Sequence, residues 1–324
     1  MLSEPDFIAK KIIMVSPKDG DIISFKNDNI IVKDSNNTIK LQLSCYKLFA
    51  ILIVGGFTIT TGIVERSKRF GFSILLFTYS FKLYEIINFK MEGNTLLRKR
   101  QYTSQRRDEI GKQIIINKIE NQRDMIKKIR NIENTESILI LDKNILNLVK
   151  NQFNNYEIMG IEGIASKVYF KKIFDNWDWK GRQPRVKRDK INLLLDIGYT
   201  ILFNYIEAIL NIYGFDIYVG NLHREFYKRK SLVCDIIEPF RPIVDYKIRK
   251  AYNLGQLNYE YTENRGQYNI NWEDSSKFVM LILEEIIQNR VVIFRYIQQY
   301  YRWIMKDKDI KEFPKARFNY NDNN

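Results

Sequence analysis

Short apolar runs separated by polar turn residues predict a β-rich region at the start of the chain. Residues 22–25, 29–32 and 39–43 are rich in Ile, Leu, Val and Phe. The segments between them, 26–28 and 34–37, consist of Lys, Asn, Asp and Ser, which favour turns. We therefore predict three short strands joined by tight turns.

Two more strands and one helix are predicted to complete this region. The uncharged run 50–54 predicts a strand and 72–77 a buried strand, while 61–70 predicts a helix that ends at Gly71. The wider uncharged run 48–64 is short for a membrane helix, which needs about 20 mainly apolar residues. Its Thr, Ile and Val content favours strands. We expect a small sheet domain with one covering helix and no membrane span.

The pattern changes to helical periodicity near residues 92–94. Helices are predicted over 95–132 (one long helix or two), 142–153, 159–174, 190–212, 231–238, 243–252 and 275–305. Residues 259–272, with an Asn-Arg-Gly turn, predict a hairpin-like excursion. The fold class predicted is α+β, with an N-terminal β-domain over 1–92 and a larger all-α domain over 93–324.

Charge and cysteine content limit the classes of function. The 324 residues contain 52 Lys plus Arg against 38 Asp plus Glu, a net charge of +14, which favours a polyanionic partner such as nucleic acid. Basic clusters lie at 98–100, 106–107 and 180–188. The two cysteines, Cys45 and Cys234, form no CxxC pair, which excludes a zinc ribbon and a disulfide framework. An acidic N-terminus unlike a signal peptide then favours a cytoplasmic protein.

The candidate chemistry centres on His223, the only histidine of the chain. Asp235 and Glu238 follow it, three residues apart, in a run predicted to form a short helix. On one helix face such residues lie about 5–6 Å apart, so both carboxylates can face one ion. Imidazole with carboxylates favours manganese or magnesium. The alternative is a hydrogen-bonded structural histidine.

Glu162 is a third candidate, within Gly160-x-Glu162 at the opening of an apolar helix. Near a helix N-terminus its charge would complement the helix dipole, which is worth ~0.3–1 kcal/mol. The residues alone leave this structural role and a catalytic role both open.

Taken in order, these motifs resemble the CRISPR adaptation integrase family over essentially the whole chain. The specific block is Gly220-x-Leu222-His223, then Ser231-Leu232-x-x-Asp235-x-x-Glu238-x-Phe240-Arg241-Pro242-x-x-Asp245. Upstream, Asp189-Lys190-x-Asn192 resembles an Asp-Pro-Val-Asn motif with Lys in place of Pro, and we assign it to structure. The Ile-, Asn- and Lys-rich N-terminal region resembles integrases that accompany class 2 CRISPR effectors.

The resemblance implies a divalent-metal-dependent enzyme. Glu162, His223 and Glu238 would be ligands of Mg²⁺ or Mn²⁺, with Asp235 beside them as a catalytic carboxylate, either a ligand or a neighbour of the ligands. The reaction would join the 3′-hydroxyl ends of spacer DNA to the CRISPR repeat by transesterification. A branched-DNA nuclease and a non-catalytic, basic nucleic-acid-binding module are the alternatives.

We also have expectations for the residues that bind DNA and for the partners of the protein. Candidates for phosphate contacts are Arg182, Arg185, Lys187, Arg188, Arg241 and Arg249. Arg241 could equally form a buried ion pair with Glu238 or Asp245. The resemblance implies that the substrate is double-stranded DNA, in the form of the spacer precursor and the CRISPR repeat. It also implies a homodimer formed through the β-domain, a small ferredoxin-like adaptation partner and a prokaryotic cytoplasm.

Overall fold

The computed structural model describes residues 3–16, 20–79, 83–87, 93–129, 135–175, 177, 179 and 181–318. The chain divides into two compact units, one comprising residues 1–93 with 211–214 and the other comprising the remainder. Residue 92, where the sequence places the domain boundary, lies outside the described residues. A β-rich region followed by a mostly helical one confirms the predicted fold class.

The described residues of the first unit form two sheets. The larger one has the order β1 (Lys11–Val15), β5 (Leu48–Val54), β6 (Ser73–Phe77) and β7 (Leu83–Ile87). Its first three strands run parallel and β7 pairs antiparallel with β6. The smaller, antiparallel sheet has β2 (Ile22–Lys26), β3 (Asn29–Lys33) and β4 (Ile39–Ser44). Strand β5 is buried along its whole length, as its uninterrupted apolar run requires of a central strand.

Two helices accompany these sheets, α1 (Glu4–Ile8) and α2 (Thr61–Phe70). Helix α2 ends at Gly71, whose φ of 70° is the left-handed conformation that closes many helices. The predictions for α2 and for the strands β2 to β6 are confirmed. The sequence patterns did not predict α1, β1 or β7. Strand β1 is only five residues long and pairs with β5, more than thirty positions further along the chain, so little local signal identifies it.

The described residues of the second unit are helical apart from one hairpin. The helices that begin in this unit are α3 (Thr95–Thr103), α4 (Arg107–Lys128), α5 (Thr135–Lys150), α6 (Asn155–Ile173), α7 (Lys190–Tyr213), α8 (Ser231–Ile236), α9 (Arg241–Asn253), α10 (Trp272–Gln288) and α11 (Arg290–Lys306). The last three residues of α7 belong to the first unit. The hairpin strands β8 (Tyr261–Asn264) and β9 (Gln267–Ile270) confirm the predicted excursion.

Two predicted helical spans are each divided. The span 95–132 contains α3 and α4, separated at Ser104, whose extended backbone ends α3; residues 130–132 of that span lie outside the described residues. The span 275–305 contains α10 and α11, which meet at Asn289. There the backbone leaves the helical geometry (φ −93°, ψ 4°), and the Asn289 side chain donates to the carbonyl oxygen of Glu285.

Helix α4 is the central element of this unit. It packs against α5, α6 and α9 and against the 3-10 turn Glu238–Phe240. Asn121 Nδ2 donates to the carbonyl oxygen of Pro239 at 2.9 Å, which fixes that turn to the helix. Asn117 exchanges two hydrogen bonds with the backbone of Ala316, at 2.9 and 2.8 Å. Helix α4 therefore holds α6 and the segment after α8 around its middle turns.

Among the described residues, α7 is the one helix long and apolar enough to cross a membrane by length and composition. In its most apolar window 83% of the residues are buried inside the protein. That burial is the pattern of a core helix.

Candidate active site

A buried lysine joins two of the predicted site residues. Lys118 of α4 donates to Oε2 of Glu238 at 2.7 Å and also to Oε1 of Glu162. The side chains of Lys118 and Glu238 are each only 7% exposed. One ammonium group therefore lies between two carboxylates that come from different elements, α6 and the 3-10 turn.

Glu238 is held in its ionised form by its neighbours. Burial alone would raise its pKa, but the charges of Arg241 and Lys118 outweigh burial and lower the pKa to about 2. Arg241 Nε donates to Oε1 of Glu238 at 3.0 Å, and its guanidinium lies over the ring of Tyr199. The structure shows the predicted ion pair of Arg241 with Glu238, in which the Arg241 side chain is half-buried, and a phosphate contact by Arg241 stays a prediction.

The charge of Lys118 is stabilised in the same way. Burial lowers the pKa of an ammonium group, yet Glu238 and Glu162 together raise the pKa of Lys118 above its ordinary value. The three side chains thus form a charged cluster whose members depend on one another.

Glu162 lies in the interior of α6, so the prediction that it lies near the helix N-terminus is wrong. The helix begins at Asn155, and Asn154 and Glu157 form a reciprocal capping box there. Glu162 comes two turns later and accepts a hydrogen bond from Ser166 Oγ at 2.6 Å, one turn further along. Its carboxylate is therefore directed by α6 and Ser166 toward Lys118.

His223 is oriented by Asp235. The Nδ1 atom of the ring lies 2.7 Å from Oδ1 of Asp235, which is fully buried. The carboxylate also accepts backbone N–H groups from Asn221 at 2.5 Å, Leu222 at 3.1 Å and His223 at 2.9 Å. Because the acceptor is a carboxylate, Nδ1 is the protonated nitrogen of the neutral imidazole, and Nε2 is then the nitrogen with the lone pair. This is the arrangement of a histidine prepared to bind a cation.

The expectation that Asp235 and Glu238 face one ion from one helix face is wrong. Helix α8 ends at Ile236, and Glu238 opens a separate 3-10 turn. Both oxygens of Asp235 are engaged by residues 221–223. Asp235 therefore positions His223, and Glu238 alone turns toward Lys118.

The loop before His223 leaves no room for a side chain at Gly220. A Cβ atom there would lie 2.6 Å from the carbonyl oxygen of His223 and 2.9 Å from Oδ2 of Asp235. Both distances are too short, so any side chain would push the loop away from the carboxylate. Asn155 Nδ2 also donates to the carbonyl oxygen of Asn221 at 2.6 Å, which ties the loop to the start of α6.

The predicted site residues lie in two pairs, Glu162 with Glu238 and His223 with Asp235, and do not form a single cluster of metal ligands among the described residues. Glu162 and Glu238 meet through Lys118, and His223 lies near Glu238. Within the described residues, however, no three acidic, histidine or cysteine side chains lie together at distances that would hold a metal ion.

Apart from Arg241, which pairs with Glu238, the predicted phosphate-binding residues fall into two groups. Arg182 and Arg249 are bonded internally: Arg182 donates to Asn192 at 2.9 Å and to Asp196 at 2.6 Å, and Arg249 donates to the carbonyl oxygen of Ile173. Arg185 and Arg188 are exposed and Lys187 is half-buried. Phosphate contacts by these residues stay a prediction. Residue 180, which begins their cluster, lies outside the described residues.

The assignment of Asp189 and Asn192 to structure agrees with their contacts. Asp189 Oδ1 accepts the backbone N–H of Asn192 at 2.7 Å, and its Oδ2 accepts the Asn192 side chain at 2.6 Å. Asn192 also donates to the carbonyl oxygen of Gly181 at 3.0 Å. These bonds join the basic loop to the start of α7.

Lys118 was not identified from the sequence. The available signal is its spacing, since Lys118 follows Ile114 by four residues and precedes Gln122 by four, and both neighbours are buried. A lysine at a core position of a helix needs a buried partner.

These features define a basic α+β protein whose helical unit carries two carboxylates bridged by a buried lysine and a carboxylate-oriented histidine. The family described as CRISPR associated protein Cas1 matches residues 14–284 of the chain. CRISPR-associated endonuclease Cas1 1 of Thermodesulfovibrio yellowstonii is 32% identical over 320 residues, covering 94% of this chain and 98% of that protein. The chain therefore belongs to the Cas1 family, the endonucleases and integrases of CRISPR adaptation. The family resemblance found in the sequence is confirmed.

Solved structures share the fold. A chain of a Cas6-RT-Cas1–Cas2 complex superposes with a TM-score of 0.76 at 21% identity, over 95% of this chain and 36% of that one. A casposase bound to its integration product superposes with a TM-score of 0.74 at 18% identity, over 95% and 96% of the two chains. At sequence identities this low, the structural similarity shows a shared fold and nothing further.

Proposed function

We propose that this chain is a divalent-metal-dependent integrase, which joins the 3′-hydroxyl ends of spacer DNA to the CRISPR repeat by transesterification. The observation that carries the proposal is the buried, ionised Glu238, linked to Glu162 through one positive charge and lying near His223. Membership of the Cas1 family supports the same reaction class.

The donor chemistry of Glu162, Glu238 and His223 suits a hard divalent cation such as Mg²⁺ or Mn²⁺, although in this structure the ammonium of Lys118 lies between the two carboxylates. Two carboxylates already turn toward a single positive charge, the ammonium of Lys118. His223 offers Nε2 because Asp235 holds Nδ1. Glu162, Glu238 and His223 would hold the cation, and Asp235 would orient the histidine. When bound, the cation would neutralise charge that develops on the phosphate oxygens.

The protein's own residues bind and position the reactants. The attacking hydroxyl belongs to the incoming DNA strand, so no side chain has to act as nucleophile. Arg241 keeps Glu238 ionised and in place, and Asp235 fixes the tautomer and orientation of His223. Positioning with charge stabilisation supplies most of the catalysis in phosphoryl transfer.

The net charge of +14 supports double-stranded DNA as the partner. Arg185, Lys187 and Arg188 border α7 in one loop and would contact phosphate oxygens without reading sequence. A casposase with the same fold was solved bound to its integration product, which favours DNA joining for this chain.

The assembly we propose is a homodimer formed through the N-terminal β-domains. A Cas1–Cas2 complex with the same fold supports a Cas2 protein as the small, ferredoxin-like partner. We place this assembly in the cytoplasm of a prokaryote.

A nuclease that hydrolyses branched DNA is the second candidate. Relatives named as Cas1 endonucleases favour it, since water can replace the 3′-hydroxyl as nucleophile at the same site. A basic binding module with a structural acidic cluster is the third, and it would bind DNA without joining or cutting it.

A strand-transfer assay separates these functions. Short duplexes with free 3′-hydroxyls meet a supercoiled plasmid carrying a CRISPR repeat, with and without a Cas2 protein, in Mn²⁺, Mg²⁺ or chelator. We expect metal-dependent joining that Glu162→Gln and Glu238→Gln abolish while DNA binding persists. The control is Glu263→Gln, an exposed position on β8.

Each outcome of that assay points to one function. Cutting without joining would establish the nuclease. Binding without either reaction, under every metal and partner condition, would establish the binding module. Equal joining by Glu238→Gln and by the unmodified protein would refute the proposed site.

A further inference from the structure

A short turn follows His223 and is held in place by several bonds. The backbone N–H of Arg229 donates to the carbonyl oxygen of Phe226 at 2.9 Å, and Lys228 has the left-handed φ of 58°. Ser231 Oγ donates to the carbonyl oxygen of Arg224 at 3.1 Å, which closes the base of the loop. The turn is therefore a defined projection beside the histidine.

The tip of this turn carries two exposed aromatic residues. Phe226 is 72% exposed and Tyr227 is 81% exposed, although aromatic rings dominate protein cores and interfaces. Turn positions are usually occupied by Gly, Asn, Asp, Ser or Pro, which form turns without exposing a large apolar side chain to solvent. Adjacent exposed rings on a well-bonded turn are typical of a recognition surface.

The charges around the rings are positive. The ammonium of Lys228 lies 5.2 Å from the ring centroid of Tyr227, and the guanidinium of Arg229 lies 5.9 Å from that of Phe226. Glu225, the carboxylate of the turn, is paired with Arg107 at 2.7 Å. The surface therefore combines flat apolar faces with cations, which suits a nucleotide whose base stacks and whose phosphate is neutralised.

The short distance between the turn and His223 limits which nucleotides the turn can contact. Phe226 is three residues beyond His223, so their Cα atoms are separated by at most ~11 Å. Bases in a duplex are stacked on their neighbours, whereas bases at an unpaired strand end are free to stack on a side chain. The reacting strand end is the part of the DNA that must come to His223.

We propose that Phe226 and Tyr227 form a stacking platform for unpaired nucleotides at the DNA strand end that enters the site. This inference rests on the proposed DNA-joining function. It assigns to the turn the binding of a single-stranded overhang, largely independent of sequence because every base has a flat face. The platform would hold the strand end close to His223 and Glu238.

Fluorescence of 2-aminopurine tests the platform without any reaction. The base analogue is placed in the 3′ overhang of a duplex whose strand ends carry 3′-dideoxy nucleotides, and a blunt duplex with the analogue in the paired region serves for comparison. Phe226→Ala, Tyr227→Ala and the double variant are measured against Leu139→Ala, another strongly exposed apolar position in the helical unit. Circular dichroism verifies that each variant is folded.

We expect the unmodified protein to quench the overhang analogue and the double variant to lose that quenching. The Kd for the overhang DNA should rise about tenfold in the double variant, while the Kd for blunt DNA stays the same. Unchanged quenching and affinity, or equal weakening of both DNAs, would overturn the platform. So would equal losses in Leu139→Ala.

The same measurements separate this inference from the function on which it rests. Quenching that depends on Phe226 and Tyr227, in a protein that joins no DNA, would keep the platform and refute the integrase. Metal-dependent joining, together with quenching that is the same with and without Phe226 and Tyr227, would support the integrase function and refute the platform.

Discussion

The ammonium of Lys118 lies 2.7 Å from Oε2 of Glu238, in contact with a carboxylate proposed to bind a metal. The same ammonium also bonds Glu162. A divalent cation and Lys118 would compete for these two carboxylates, because both positive charges need the same oxygens. Lys118 therefore keeps the two carboxylates together while opposing the cation that would replace it.

Replacing Lys118 with Met should separate these two effects. Met has a similar length but no charge, so Glu162 and Glu238 would face each other without a bridging cation. Removing one partner from a buried pair costs about 3–5 kcal/mol, and Arg241 should keep the loss near the lower value. We expect lower stability without metal and a Kd for Mn²⁺ reduced at least tenfold, measured by thermal unfolding and calorimetry.

Lys112→Met is the matched control, because Lys112 lies on the same helix and donates to the carbonyl oxygen of Asn151. It should alter neither the Mn²⁺ affinity nor the metal-induced rise in Tm. Weaker Mn²⁺ binding in Lys118→Met would show that the lysine assists the cation, contrary to our expectation.

Asp235→Asn should weaken metal binding without removing a ligand. An amide offers one acceptor oxygen in place of two and cannot receive the His223 proton together with three backbone N–H groups. Loss of such an orienting partner typically costs about 10–100-fold in metal affinity. Calorimetry with Mn²⁺ and hydrogen exchange at residues 221–223 would measure the effect.

Asp216→Asn serves as the comparison for that variant, since Asp216 also accepts a backbone N–H, from Tyr218 at 3.0 Å. It should leave the Mn²⁺ affinity unchanged. An Asp235→Asn protein with normal affinity and normal protection of the loop would contradict the orienting role.

We expect Asp245 to make stability depend on pH between about 4 and 6. Burial raises its pKa and the hydroxyls of Tyr199 and Tyr169 lower it, leaving a pKa of about 6 against an ordinary 3.8. Because the folded pKa is the higher one, the contribution to stability is complete below pH 4 and is lost as the pH rises through 6. The loss is on the order of 3 kcal/mol for a shift of this size.

Asp245→Asn should remove that dependence, since the amide keeps the shape and does not titrate. Relative to the variant, the unmodified protein should lose stability as the pH rises from 4.5 to 7.5. Thermal unfolding at four values across this range measures the change. A constant difference in Tm between the two proteins would refute the assignment.

The basic surface predicts a steep response to salt. If six to ten phosphates are bound, DNA affinity should fall by ~10³–10⁵ between 50 and 200 mM salt. Replacing Arg185 and Arg188 with Gln should reduce the slope by about one for each phosphate that is no longer neutralised. Equilibrium binding at five salt concentrations gives the slope, and a flat response would exclude a phosphate-tracking surface.

Local patterns were enough to predict many of the elements. Alternating apolar positions and turn residues identified β2 to β4, and Gly71 marked the end of α2 because a left-handed closing residue favours glycine. Long helices such as α7 were found from their periodicity. The motif from Gly220 to Asp245 pointed to the family, which the match over residues 14–284 confirms, and to its candidate site.

Contacts between distant parts of the chain decided the rest. Lys118 meets partners 44 and 120 positions away, so no local pattern could show that it joins Glu162 to Glu238. The parallel pairing of β1 with β5 depends on distant residues as well. The sequence by itself determined most of the elements, the family and the acidic and histidine residues available for chemistry. Only the tertiary structure decided which charges share a buried space, because burial and pairing arise when the helices pack.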